Sequence, residues 1–324
     1  MLTKVEPSAE AGFCDEALVF GLVNNMPDAA LRTTERQFHD LLCAASNNRK
    51  IHLKYFSLPE LPRAEAARSH INRHYEDLRE LWPGHLDGLI VTGTEPRASK
   101  LTDEPYWGTL TKLVDWTEHH TISTVWSCLA AHAAVLHLDG IERRRLPKKL
   151  SGVFSCVKDT EHEIAAGITV HWSVPHSRYN DLPEEELVSR GYRVLMRSAE
   201  TGADLFVRHR DSLDVFFQGH PEYEPDTLLR EYRRDVGRYL SGEKDDYPEM
   251  PRGYFDDEAV AALVMFRQQT LANRDVNLLS KFPVIRVQTL SHAWREPAER
   301  IYANWMSYLT ERKYHGSKGR TQAR

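Results

Sequence analysis

Cys128 stands in "STVWSCLAAHAAVLHLDG", where an apolar β-branched run gives way to an alanine-rich run that favours helix. The thiolate is the reactive form of cysteine, and the unpaired N–H groups and dipole of a helix N-terminus favour negative charge on sulfur. A sharp strand-to-helix turn here projects the sulfur and offers the backbone N–H of Leu129 to a developing oxyanion. Ala130 and Ala131 leave room for another segment to approach. Trp126 and Ser127 do not supply the glycines of a G-x-C-x-G elbow, so the pattern is an elbow by placement rather than by motif.

A cysteine nucleophile needs a base. In "DVFFQGHPEYE", His220 follows an apolar strand and a glycine, and Glu222 lies two residues on, across Pro221, where it can orient the imidazole. The expected chain order is Cys, His, Glu. His132 shares a helix face with Cys128, four residues away, but has no acidic neighbour and reads as a residue packed under the helix. The histidines of "EHH" (118–120) and "RHR" (208–210) read as solvated surface, and no His, Asp and Glu cluster has metal spacing. Cys14, Cys43 and Cys156 are dispersed, form no CxxC pair, and read as small apolar residues or free thiols.

These residues need strand ends to position them. "EALVFGLVNNMP", "KIHLKYFSL", "LDGLIVTGTEP" and "TISTVWSC" read as strands, and "DAALRTTERQFHDLLCAAS" and "PYWGTLTKLVDWTEHH" as amphipathic helices between them. The alternation predicts right-handed βαβ crossovers, a mostly parallel sheet covered on both faces, and sites beyond the strands' carboxyl ends. From Gly152 to His220, short strand-like runs predict an antiparallel or irregular part of the sheet plus one more core strand. A flexible start (1–17), a catalytic α/β domain (18–250), a C-terminal segment packed on it (251–311) and a flexible basic tail (312–324) are expected.

The 324 residues suffice for a sizeable core, and 42 Lys and Arg against 47 Asp and Glu, mixed along the chain, give a net charge of −5 and no case for nucleic acid. No apolar run reaches the roughly 18 residues of a membrane span, and the N-terminus lacks a signal peptide's apolar core, so a cytoplasmic protein is expected.

"GLVNNMP", "TERQF", "DGLIVTGT", "YWGTLTKLVDWTEHHTISTVWSCLAAHAA", "KLSGVF", "PHSRYNDLP", "GHPEYEPDTLLREYRRDV" and "NWMSYL" resemble, in that order, the homoserine O-succinyltransferases, a homoserine O-acyltransferase family with the class I glutamine-amidotransferase-like fold. The resemblance runs from about residue 18 to 310. It implies a flavodoxin-like α/β core with a C-terminal extension, a role in methionine biosynthesis, and ping-pong transfer of an acyl group from acyl-CoA through Cys128 to homoserine. His220 and Glu222 fall on the family's catalytic pair, Arg234 on its carboxylate-binding arginine, and Ser177 and Arg178 on a substrate-side motif. Thr94 is the expected second oxyanion donor. No bound cofactor or metal is implied; acyl-CoA is a co-substrate, small molecules are the partners, and a homodimer is the assembly the resemblance suggests.

The chain departs from the family in three places. "MPDAALRTTE" is longer and has no lysine, leaving Arg32 as substitute. "TGTEPR" places Arg97, with Glu95 nearby, where the family sets succinyl or acetyl preference. Residues 251–290 are longer than the family's segment. Two rival functions stay open at this level: a glutamine amidotransferase-type amide hydrolase using the same three residues, and a non-catalytic binding member of the fold.

Overall fold

The computed structural model of the chain describes residues 17–169 and 171–321, with side chains in the last helix described as far as residue 315. Among the described residues nine strands form one sheet: β1 (Leu18–Val23), β2 (Ile51–Phe56), β3 (Leu86–Val91), β4 (Thr121–Ser127), β5 (Arg144–Lys158), β6 (His171–Asp181), β7 (Arg193–Ser198), β8 (Gly202–His209) and β9 (Leu213–Phe217). Among the described residues eight α-helices accompany them: α1 (Asp28–Ala45), α2 (Glu65–His74), α3 (Trp107–His120), α4 (Leu129–Asp139), α5 (Glu184–Ser189), α6 (Thr227–Leu240), α7 (Asp257–Ala272) and α8 (Arg295–Thr321).

The sheet order is β2-β1-β3-β4-β9-β8-β7-β5-β6. β2, β1, β3, β4 and β9 are parallel, and from β9 through β8, β7, β5 and β6 the pairing is antiparallel. β9 is the further core strand expected late in the 152–220 region. The inner parallel strands β1, β3, β4 and β9 are buried on both faces because helices cover both, while β2 at the sheet edge stays partly exposed. One core joins β1, β4 and β9 to α1 and α8 through Phe20, Phe38, Leu41, Ile301, Trp305 and Leu309. The other joins β3, β4 and β9 to α3 and α4 through Leu89, Trp126, Phe216, Leu113, Ala131 and Val135.

Strand alternation sends Trp126 and Val125 to opposite cores. Trp126 donates its indole N–H to Asp214 Oδ1 (2.8 Å), and Ser123 Oγ accepts that of Trp305 (2.9 Å). The two bonds seat both large rings without leaving a buried donor unpaired.

The C-terminal segment packs on the rest of the chain. Arg252 docks on β5 by Arg252 N–H to Ser151 O (3.0 Å) and Val153 N–H to Arg252 O (2.8 Å), and α7 closes a third core over α6 through Leu263 and Phe266. α8 runs on to Thr321, through most of the 312–324 span expected as a tail. The expected flexible start with Cys14, and residues 322–324, lie outside the described residues apart from Ala17. Among the described residues, no helix is long and apolar enough to cross a membrane.

Candidate active site

β4 and β9 run parallel with Ser127 beside Phe217, and Cys128 N–H donates to Phe217 O (2.7 Å). That register brings the residue after β4 level with the residues after β9. Cys128 then breaks the chain's course with φ 53° and ψ −110°, a left-handed conformation that costs a side-chain-bearing residue about 1–3 kcal/mol. Such strain persists only where the surroundings impose it; here the strand bond behind and α4 ahead do so. Leu129 is the first residue of α4, so its N–H has no intrahelical acceptor. Gly93, just after β3, lies against it, and Thr94 follows in the same loop.

His220 is 6% exposed, and the charge of the Cys128 sulfur acts on its ring. Its Nδ1 faces Glu222 Oε1 at 2.8 Å, which leaves Nε2 for the sulfur. Burial works against a charged imidazole, but Glu222 and Cys128 outweigh it and raise the His220 pKa well above the usual histidine range. The ring stacks on Tyr223 at 4.3 Å between centroids and 14° between planes. Tyr223 in turn donates its hydroxyl to Glu231 Oε1 (2.9 Å).

The other described cysteines lack this setting. Cys156 is fully buried, and burial followed by Asp204 pushes its thiol up. Cys43 lies exposed on α1, its thiol raised by partial burial and by Asp40. His132 packs under α4 as expected: its Nε2 meets Gln218 Oε1 at 3.0 Å, and burial drives its pKa down to about 3.

α6 lies beside the pair and sets Glu231, Arg234, Asp235 and Arg238 on one face by their three- and four-residue spacing. Ser177 of β6 donates its hydroxyl to Glu231 Oε2. Arg234 places Nε and Nη2 on Asp235 Oδ1 (3.0 and 2.9 Å) and stays half-exposed. Arg238 grips Glu95 with both Nη atoms (2.9 and 3.0 Å), tying α6 to the loop after β3. Arg97 is exposed on that loop, its backbone N–H held by Glu104 Oε1 (2.6 Å).

Arg178 is not with them. It is 4% exposed, and its guanidinium donates to Asn180 O (2.6 Å), Thr201 O (2.6 Å), Asp181 Oδ1 (3.1 Å) and His176 Nδ1 (3.3 Å). Alternation along β6 separates it from the α6 side that Ser177 faces, so the substrate-side role expected for it gives way to one inside the fold. Arg32 is exposed on α1; the cation at the "NNMP" turn is Arg63, which donates to Met26 O (2.5 Å) and Ser57 Oγ (3.0 Å).

Sequence reasoning also passed over Lys149 and Arg143. Lys149 Nζ lies 2.6 Å from Asp235 Oδ2 and 3.9 Å from Glu231 Oε2. Burial opposes the Asp235 charge, yet Lys149 and Arg234 hold its carboxyl below the usual range. Arg143 keeps a buried Nη1 without a hydrogen-bond partner among the described residues, and burial lowers its pKa against the opposing charges of Tyr106, Glu104 and Cys128. Both arginine and lysine sit in a charge run, "ERRRLPKKL", that reads as surface until the chain is folded.

The fold defines the class. The chain is similar to a glutamine amidotransferase from Thermotoga maritima, with a TM-score of 0.51 and 12% identity over 91% of this chain and 99% of that one. One from Methylobacillus flagellatus gives 0.50 and 15% over 90% and 95%. The architecture is the class I glutamine-amidotransferase-like α/β fold, with a C-terminal extension. The family is narrower: the homoserine O-succinyltransferase model matches residues 14–315. The homoserine O-succinyltransferase of Methylorubrum extorquens is 49% identical over 90% of this chain and 87% of its own length, and that of Bradyrhizobium japonicum 48% over 91% and 90%. The chain belongs to the homoserine O-succinyltransferase family and is an acyltransferase.

Proposed function

We propose that the chain moves a succinyl group from succinyl-CoA to the side-chain hydroxyl of L-homoserine through a thioester on Cys128. The observation that carries this reading is the strained Cys128 elbow, with Glu222 held on His220 and the Cys128 charge acting on the same ring. The Cys128 thiolate attacks the thioester carbonyl, forming the new S–C bond, and the oxyanion is met by the N–H groups of Leu129 and Thr94. As the C–S bond to CoA breaks, protonated His220 gives its proton to the leaving sulfur. Neutral His220 Nε2 then takes the proton of the homoserine hydroxyl, whose oxygen attacks the enzyme thioester and releases Cys128. Glu222 holds Nδ1–H throughout, fixing the tautomer.

The charged face of α6 suits an amino acid. Arg234 offers a planar fork to its carboxylate, and Glu231, already aligned by Ser177 and Tyr223, offers a carboxylate to its ammonium. Two methylenes separate a succinyl thioester carbon from its free carboxylate, so the cation that reads it must lie near the sulfur. Arg143, whose buried Nη1 is unpaired among the described residues and whose charge is felt by Cys128, is the cation we assign to it, while exposed Arg97 suits the more distant anionic part of the donor.

Intact-mass measurement after mixing with succinyl-CoA tests the reading. One succinyl group should appear on the wild type, disappear on adding homoserine, and never appear on Cys128→Ala. Ammonia release from glutamine, with no CoA release from any acyl-CoA, would establish the amide hydrolase instead.

A further inference from the structure

Behind the active site, on the far side of the 218–220 turn, lies a wholly buried set of polar groups that the reaction above does not use. Asp204 on β8 and His176 on β6 are both 0% exposed. The carbonyl of Asp204 accepts Gln218 N–H (2.9 Å), and its side-chain Oδ1 accepts Gly219 N–H (2.9 Å). The next amide, His220 N–H, donates to Pro175 O (2.8 Å). Three successive amides leading to the catalytic imidazole are therefore fixed, two of them by one residue. Gly219 is what admits the carboxyl: a Cβ there would stand 2.7 Å from Asp204 Oδ1 and 2.7 Å from Val174 Cγ2.

The geometry points to Asp204 as a positioning residue for His220: it fixes the Gln218–Gly219–His220 turn that presents the imidazole to Cys128, with His176 and Arg178 as its support. Arg178 Nε donates to His176 Nδ1 (3.3 Å), which leaves the ring proton on Nε2. Nε2 faces Asp204 Oδ1 at 3.4 Å, an electrostatic contact without hydrogen-bond alignment. Burial, then the charges of Arg178 and His220, keep His176 neutral. Burial pushes the Asp204 carboxyl up to about 7, against the Gly219 N–H and the charges of Arg178 and His220. Neutral or ionised, the carboxyl keeps a lone pair for Gly219 N–H, so the role needs the oxygen and not the charge. Asp204 Oδ2 has no partner among the described residues. A buried carboxyl so poorly repaid is expected where it does a job that an apolar residue cannot.

The role also accounts for the alternation in "PHSRY". Ser177 faces Glu231 on the α6 side, while His176 and Arg178 face Asp204. The ligand atoms of Cys156, His176 and Asp204 lie within 4.8 Å of one another, so a bound cation is the rival explanation. It meets a cationic Arg178 and a thiol that burial holds protonated.

The proposal rests on His220 being the base, and its test separates the two. Full-length Asp204→Ala, Asp204→Asn and His220→Ala are compared by steady-state kinetics with succinyl-CoA and homoserine, and by the rate of Cys128 alkylation by iodoacetamide at neutral pH. Asp204→Ala should lower kcat by about 10- to 100-fold, as misplacement of a catalytic group does, with KM for homoserine unchanged and alkylation altered in the same direction as in His220→Ala. Asp204→Asn, whose amide oxygen still accepts from Gly219, should stay within about threefold of wild type. A folded Asp204→Ala with kcat within about twofold of wild type overturns the proposal. Should Asp204→Ala not fold, a folded Asp204→Asn slowed by more than about tenfold overturns it, and retained rate upholds it. One equivalent of metal in the purified chain, lost in Asp204→Asn, also overturns it. Unaltered Cys128 alkylation in His220→Ala would remove the base reading beneath it.

Discussion

Gly93 and Leu129 meet so closely that a Cβ on Gly93 would lie 2.5 Å from Leu129 Cβ and 3.0 Å from Leu129 N. The end of β3 therefore rests on the first turn of α4, which brings the loop carrying Thr94 against Leu129, the two residues whose N–H groups are proposed to receive the oxyanion.

Gly93→Ala must push the β3 loop away from Leu129. The expected result is a fall in kcat of about 100-fold, since donors misplaced by an ångström lose most of their effect. KM for homoserine should change little. Steady-state kinetics beside a thermal melt checks this, the melt confirming that the variant is folded.

Glu222→Gln removes the carboxylate that raises the His220 pKa. A group whose pKa rises on folding stabilises the native state fully below its unfolded value of about 6.5, and that contribution is lost as pH climbs through the raised native value. Urea unfolding should show the variant destabilised most near pH 6, with the gap from wild type closing at alkaline pH. A gap that widens with pH would contradict the assignment. Turnover should fall by up to about 10,000-fold, the loss associated with amidating a triad's orienting carboxylate.

Arg234→Ala should raise KM for homoserine by about 10- to 100-fold, the equivalent of losing a hydrogen bond to a charged group worth about 1.5–3 kcal/mol. KM for the acyl donor should not follow. An unchanged homoserine KM would mean that Arg234 serves only to hold Asp235.

Trp294 is fully buried and donates its indole N–H to Tyr223 O (2.8 Å), so the C-terminal segment holds the ring that His220 stacks on. Trp294→Ala should cost about 3–5 kcal/mol in urea unfolding. Trp294→Phe, which keeps most of the volume and loses the donor, should separate packing from alignment by a lower kcat at a smaller loss of stability.

Much of this was legible because it is local. A β-branched run followed by an alanine-rich one sets a strand and a helix with Cys128 between them, and a histidine and glutamate two residues apart need no distant partner to meet. His132 was also legible, from its place on an apolar helix face. Thr94, Arg97 and Leu129 could be assigned to loops and a helix start. What reaches them belongs to the fold: Glu95 is held by Arg238, and Arg97's amide by Glu104.

By itself, the sequence determined the alternation of strands and helices, the parallel core of the sheet, the elbow cysteine and the His–Glu pair, since each depends on propensity, period or short spacing. Only the tertiary structure decided that Cys128 and His220 meet, through the β4–β9 register, and that Arg178 serves the interior while Lys149 pairs with Asp235 of α6. Charged side chains with the same spacing in sequence differ only in what the strand pairing and α6 bring beside them. That is a property of contacts across the whole chain.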